Sequence, residues 1–270
     1  VSRPPAKRRL GQHFLFDPSI LRRIADATLA GPNDTVLEIG PGPGGLTAQL
    51  LERGARVVAI ERDPDQLDEL RSRAPSAQVV LGDALELDWY EVAGEPAPAQ
   101  WIVAGNIPYN ITSPLLDKAL DGPVPARIVF LVQREVADRL AAEPGSRSYG
   151  ALTVGVQSAA LVERLFRIPR GAFTPPPKVE SALVRLTPLA EPLVPPASRA
   201  TFRRFVVALF GLRRKQLQGA LRQVTARGTD EIRRALHAVE ARPEQRAETL
   251  SPQQLWHLAE ALVDGAEEGC

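Results

Sequence analysis

The chain has 270 residues, 44% of them hydrophobic and 24% charged; that length can bury a full core, and no apolar run approaches the roughly 20 residues of a membrane span. A single cysteine, Cys270, excludes an internal disulfide and a thiolate metal cluster, so no metal site is expected. The net charge of +1 hides clustering, and clustering is what makes a nucleic-acid surface.

Val1 to Leu10 carries Arg3, Lys7, Arg8 and Arg9 without an acid. It lacks the apolar stretch and small-residue cleavage site of a secretory signal, so a cytoplasmic location is expected. From Thr35 to Leu186, short β-branched runs alternate with helical stretches, the pattern of a wound α/β sheet with helices on both faces. Seven strands are expected, at Thr35 to Gly40, Arg56 to Glu61, Gln78 to Leu81, Trp101 to Asn106, Arg127 to Val132, Leu161 to Ile168 and Val179 to Leu186. Consecutive apolar positions such as Val57, Val58, Ala59 and Ile60 predict central strands covered on both faces. The last two strands follow one another across Gly171 to Pro177 with no room for a crossover helix, which predicts an antiparallel pair in a mostly parallel sheet.

The first strand runs into Glu38-Ile39-Gly40-Pro41-Gly42-Pro43-Gly44-Gly45, which opens a helix. Glycines there let backbone turn sharply and approach a ligand closely. Glu61 ends the second strand, where a carboxylate can accept both hydroxyl hydrogens of an adenosine ribose. Gly40, Gly42 and Gly45 also satisfy G-x-G-x-x-G, so this loop alone leaves NAD and S-adenosylmethionine both open. Asp83, after the third strand, can reach the rim of the same crevice or act only as a cap.

Asn106-Ile107-Pro108-Tyr109 follows the fourth strand and therefore stands beside the glycine loop at the carboxyl edge of the sheet. An exocyclic amino group on an aromatic base is a poor nucleophile because its lone pair is delocalised into the ring. The Asn106 side-chain oxygen and the Ile107 carbonyl can accept its two hydrogens and aim the lone pair at a sulfonium methyl. Pro108 fixes the loop, and Tyr109 is either a face for a flipped base or part of the core. Phe173, ahead of Pro175, Pro176 and Pro177, can close the other side of that base or lie over the core.

Four prolines between Pro188 and Pro196 mark a linker, giving expected domains at 1–190 and 197–270. The second reads as a small all-helical domain, with helices at Arg199 to Phe210, Arg213 to Val224, Asp230 to Val239 and Pro252 to Val263, the last capped by Ser251. Pro192 to Thr229 holds eight basic residues, Arg213, Arg214, Lys215 and Arg222 among them, and no acid. Such a run is either a phosphate-binding surface or a solvated helix face.

Five ordered motifs resemble the KsgA/Erm family of ribosomal RNA adenine N6-dimethyltransferases. They are Gly11-Gln12-His13-Phe14-Leu15 with Asp17, Glu38-Ile39-Gly40-Pro41-Gly42, Gly82-Asp83-Ala84-Leu85, Asn106-Ile107-Pro108-Tyr109-Asn110, and Phe173-Thr174-Pro175-Pro176-Pro177-Lys178-Val179 with Ser181. The resemblance runs from about Lys7 to the final helix. It implies a Rossmann-like class I methyltransferase fold with a helical second domain, S-adenosylmethionine as cofactor, and a monomer acting on ribosomal RNA in a small-subunit precursor particle. Cofactor contacts are implied at His13, Leu15, Gly40, Gly42, Glu61, Asp83 and Asn106. Base handling is implied for Asn106, Ile107, Pro108, Tyr109 and Phe173. His13 receives a role from the resemblance alone. The basic segments, Arg8 and Arg9 included, become expected phosphate contacts. The glutamine-histidine motif with Arg213-Arg214-Lys215 is more like the KsgA branch, which dimethylates two adjacent adenines near the 3′ end of small-subunit RNA. Ile107 stands where that branch usually has leucine, as in Erm proteins, so large-subunit methylation is the alternative and an NAD-dependent oxidoreductase a more remote one.

Overall fold

A computed structural model describes residues 6–263; Arg3, Cys270 and the Arg8 side chain lie outside the described residues. Seven strands form the main sheet: β1 Thr35–Ile39, β2 Arg56–Glu61, β3 Gln78–Leu81, β4 Trp101–Asn106, β5 Arg127–Gln133, β6 Ala160–Ile168 and β7 Ser181–Pro188. Their spatial order is β3-β2-β1-β4-β5-β7-β6. The pairs β1 with β2, β1 with β4, β2 with β3 and β4 with β5 are parallel. β7 runs antiparallel to β5, and it lies between β5 and β6 rather than outside them.

The order follows from burial. β1 is buried throughout and β5 over Ile128 to Val132, so each must be flanked on both edges and covered on both faces. β3 and β6 are only partly covered and take the two edges, where charged side chains such as Glu163 and Arg164 can reach water. β7 begins at Ser181, two residues later than the sequence predicts, because its ladder with β5 starts at the Gln133–Ser181 pair. The strand order reverses between β1 and β4, and β1 to β4 all run the same way. Gly40, Glu61, Gly82 and Asn106 therefore collect at one crevice beyond the strand ends.

A second, two-stranded ribbon was not legible in the sequence: Phe14–Leu15 pairs antiparallel with Phe173–Thr174. Two-residue strands carry no periodicity to detect. The ribbon nevertheless fixes where the N-terminal segment runs, because Leu15 and Phe173 both enter the core beneath it.

The chain divides into two units, Val1–Ala137 with Val162–Pro188, and Asp138–Leu161 with Leu189–Cys270. The expected boundary at 190 and 197 is therefore corrected, since residues 138–161 join the helical unit. Tyr149 causes this: it is fully buried, its hydroxyl donates to the Leu250 carbonyl at 2.8 Å, and its ring lies 5.9 Å from that of Phe210. Val154 enters the same cluster with Phe202, Phe205 and Trp256. That unit holds the helix Ala151–Gln157 and, after residue 189, the helices Arg199–Gly211, Leu217–Thr225, Thr229–Ala238 and Pro252–Leu262. Ser251 caps the last one, accepting from the Gln254 amide at 3.2 Å. Arg213, Arg214 and Lys215 form a turn instead of opening a helix; the Leu217 and Gln218 amides donate to the Gln245 and Pro243 carbonyls, which sets the helix start there. Among the described residues no helix is long and apolar enough to cross a membrane.

Candidate active site

The crevice encloses about 880 Å³ of empty space, part of it open to solvent, between the glycine loop, Glu61, Asp83, Asn106, Tyr109 and the segment around His13. Gly40 lines it with φ +67°, and a Cβ there would meet nothing within 4 Å. The left-handed backbone, not crowding, requires glycine at 40, and its open side leaves main chain exposed to a ligand. Gly42 shares the left-handed backbone, with φ +54°, and is crowded as well: a Cβ would come within 2.9 Å of the Phe14 ring, and its amide donates to Glu61 Oε2 at 2.9 Å. Gly105 is a third glycine the site requires. A Cβ there would meet the Ile39 carbonyl at 2.4 Å, so only glycine lets β4 pass β1 just before Asn106; a glycine inside an otherwise apolar strand was the available signal.

Glu61 is 5% exposed and accepts from the Asp63 amide on Oε1 at 2.7 Å as well as from Gly42 on Oε2. Burial raises its pKa while these backbone donors oppose the rise. Each oxygen retains capacity for a further donor, as two ribose hydroxyls would supply. Asp83 lines the crevice and caps a turn, not a helix. Its Oδ1 accepts from the Leu85 amide at 2.9 Å, and its Oδ2 faces Arg62 at 3.1 Å on the crevice wall. Trp89 and Lys118 hold this turn by donating to the Ala84 and Leu85 carbonyls at 2.6 and 2.9 Å.

Glu38 lies in the same motif but is 1% exposed, with Oε2 lacking a hydrogen-bond partner. Burial pushes its carboxyl up to about 8, so it is mostly neutral at pH 7. The folded state then holds a proton that the unfolded state releases above its ordinary value of 4.5. Stability from this group is fully present below that value and is lost as pH rises through about 8. Glu38→Gln should flatten the fall in Tm between pH 5 and pH 8, measured by calorimetry, raising Tm at pH 8 by roughly 2–4 °C per kcal/mol recovered. A variant with the wild-type pH slope would exclude Glu38 as the buried acid.

At the head of the crevice the Asn106 Nδ2 donates to the His13 carbonyl at 2.8 Å. That bond uses one of the two Nδ2 hydrogens and fixes which side of the amide presents Oδ1 as acceptor. The Ile107 side chain is 1% exposed, and its amide donates to the Leu131 carbonyl at 3.1 Å, which anchors the loop to β5. Pro108 turns the chain and accepts from the Ile111 amide at 3.2 Å. Tyr109 shares a 2.8 Å hydrogen bond with the buried Ser181 hydroxyl and stacks on His13 at 5.9 Å between ring centroids, 26° between planes. The His13 Nδ1 donates to the Pro175 carbonyl at 2.8 Å. His13 thus joins the Asn106 loop to the proline loop with its ring and holds Asn106 with its main chain.

Two expected contacts lie elsewhere. Phe173 is 3% exposed and sits in the core with Leu21, Ile24 and Leu183, not on the crevice wall, because pairing with Leu15 turns it inward. Leu15 is likewise a core residue, 6% exposed, beside a smaller cavity shared with Glu38, Gly40 and Asn106. Of the basic residues, Arg9 is exposed and lines the crevice. Arg213 pairs with Glu248 at 2.9 Å and Lys215 with Gln223 at 2.6 Å, while Arg214 and Arg222 are exposed.

The family model described as ribosomal RNA adenine dimethylase matches residues 4–263. Ribosomal RNA small subunit methyltransferase A of Phenylobacterium zucineum is 45% identical over 85% of this chain and 83% of its own length. The protein of the same name from Caulobacter vibrioides is 44% identical over 97% of this chain and all of its own. Among solved structures, the 23S rRNA methyltransferase ErmE is similar with TM-score 0.72 and 30% identity, covering 92% of this chain and 99% of that one. A dimethyladenosine transferase from Plasmodium falciparum gives TM-score 0.75 and 26% identity over 92% and 96%. The expected Rossmann-like class I methyltransferase fold is the fold found. With the ordered motifs, the crevice they build and a match across nearly its whole length, the chain belongs to the ribosomal RNA adenine dimethylase family of methyltransferases.

Proposed function

We propose that this chain dimethylates N6 of two adjacent adenines in the 3′-terminal hairpin loop of small-subunit ribosomal RNA, using S-adenosylmethionine, within a precursor particle. The observation that carries the chemistry is the Asn106 amide, locked through Nδ2 by the His13 carbonyl at 2.8 Å so that Oδ1 is the acceptor. An adenine amino group placed there gives one hydrogen to Asn106 Oδ1 and the other to the Ile107 carbonyl. Its nitrogen then moves toward tetrahedral geometry with the lone pair directed into the crevice. No general base is required, because the amine becomes acidic as it is alkylated and its proton passes to water. Tyr109, held by Ser181 and backed by His13, offers its remaining face to the flipped base. Phe173, buried as it is, supports the Leu15 strand rather than the base.

The crevice suits the cofactor by the chemistry of its walls. Glu61 has unused acceptor capacity for a ribose, Gly40 leaves backbone unobstructed, and Asp83 stands at the rim for an adenine amino group. S-adenosylmethionine, when bound, supplies an electrophilic methyl on a sulfonium. His13 serves through its carbonyl and ring, and Gly42 through the hydrogen bond that orients Glu61. Arg8 and Arg9 on the N-terminal segment and Arg214, Lys215 and Arg222 in the helical unit meet phosphates; Arg213 does so by exchanging Glu248 for phosphate. The small-subunit reading is favoured over the large-subunit one by identity: 45% and 44% to proteins named for the small subunit, against 30% to ErmE. The protein acts as a monomer in the cytoplasm.

Incubation with methyl-labelled cofactor and hypomethylated small- or large-subunit particles, followed by mapping, tests this directly. Label is expected on two adjacent adenines of the small-subunit RNA. Label confined to large-subunit RNA would assign the chain to the other branch. No transfer, with Tm raised by NAD and not by S-adenosylhomocysteine, would end the methyltransferase reading.

A further inference from the structure

The segment from Arg9 to His13 forms part of the crevice wall, yet most of it belongs to no regular element. At its far end it is tied down by the pairing of Phe14–Leu15 with Phe173–Thr174. At its near end the fastening centres on a buried carboxylate. Asp63, whose side chain is fully buried, accepts from Lys7 Nζ on Oδ1 at 2.5 Å and from Gln12 Nε2 on Oδ2 at 2.8 Å. Lys7 Nζ also reaches Asp65 Oδ2 at 2.5 Å, and the Lys7 amide donates to Gln12 Oε1 at 2.7 Å, closing a ring of bonds around the start of the segment. Burial alone would raise the Asp63 pKa, but Lys7 and Gln12 outweigh it and hold the carboxyl below the usual range. The main chain of the same residue donates to Glu61 Oε1 at 2.7 Å.

We propose that Asp63 is a positioning residue: its side chain latches the N-terminal segment over the nucleoside end of the crevice while its amide orients Glu61. The inference rests on the cofactor reading above. Asp63 itself does not line the crevice, so it acts through the segment and through Glu61. The carboxylate also caps the Pro64–Gln66 turn by accepting from the Asp65 amide at 3.2 Å, but a local cap needs no donors from side chains 51 and 56 positions away. Fastening at both ends makes the enclosed stretch a wall rather than a loose strand, and a bound cofactor is then retained until the near end opens. The expected consequence is kinetic: loss of the latch speeds release more than it slows entry.

The test measures S-adenosylhomocysteine binding by calorimetry and stopped flow on the full chain, with wild type, Lys7→Met, Asp63→Asn and the double variant. Lys7→Met removes the charge and keeps the stem. Both single variants should raise Kd about tenfold, the equivalent of one charge-assisted hydrogen bond, chiefly through a faster off-rate. The double variant should be weakened by less than the product of the two single effects, since the Lys7–Asp63 pair is common to both. Asp63→Asn should also be cut faster by trypsin after Arg8 and Arg9 in the presence of ligand. Wild type that fails to bind S-adenosylhomocysteine would sink the cofactor reading itself. Wild-type binding with unchanged Kd and cleavage in Lys7→Met and Asp63→Asn would overturn the latch. So would weakening in Asp63→Asn alone, since that residue would then act only through Glu61.

Discussion

Asn106→Ala is expected to bind S-adenosylhomocysteine and RNA with near wild-type affinity while methyl transfer falls roughly 10²–10³-fold, the loss typical of removing one preorganised hydrogen-bonding group from a transition state. The reason lies in what the amide does at each end. Nδ2 is tied to the His13 carbonyl through one hydrogen, which holds the amide against flipping, and Oδ1 is the group able to accept from an amine. Asn106→Asp is a sharper test, because a carboxylate has no N–H for that carbonyl and the two oxygens repel. It should be as impaired as alanine although it retains an acceptor. Single-turnover transfer at saturating cofactor and RNA separates chemistry from binding. Undiminished transfer by Asn106→Ala would refute the role assigned to Asn106, and wild-type rates in Asn106→Asp would show that the His13 tie does not matter.

Glu61→Ala should instead act on binding, with Kd for S-adenosylhomocysteine raised roughly 10²-fold or more, as expected for two hydrogen bonds to a charged group. The variant also strands the Gly42 and Asp63 amides that the carboxylate now satisfies. The same residue sets a pH dependence. Burial raises its pKa above the ordinary 4.5, and the ionised form is the one that accepts both ribose hydrogens. Affinity should therefore be full above the raised pKa and decline as pH falls through it, at a higher pH than an exposed glutamate would give. Isothermal calorimetry across that range, with Glu61→Ala as the flat control, measures it. A wild-type profile without decline down to the ordinary glutamate range would remove Glu61 from the ribose.

Residue identity alone was informative wherever chemistry depends on composition and local spacing. The strands β2 and β4 stand where their apolar runs predict them, because a strand covered on both faces needs consecutive buried residues and little else. Glu61, Asp83 and Asn106 could be placed at the crevice because each closes or follows a parallel strand, and such strands end on one side. The Ser251 cap with Pro252 was legible for the same local reason.

Long-range pairing decided the rest. Whether Phe173 faces a base or the core depends on its partner Leu15, 158 residues away in the chain, and the ribbon between them turns the ring inward. The His13 role was invisible because it lies in a main-chain carbonyl and in a ring meeting two distant loops. Tyr149 moved residues 138–161 into the helical unit by burying itself against Phe210 and Leu250, which no local periodicity announces. The sequence by itself determined the fold, the nucleotide loop and the acceptors at the strand ends, since these rest on local hydrophobic pattern and on side-chain type. Only tertiary structure decided which aromatic faces the crevice, what orients Asn106 and what fastens the N-terminal segment, because each rests on contacts between residues far apart in the chain.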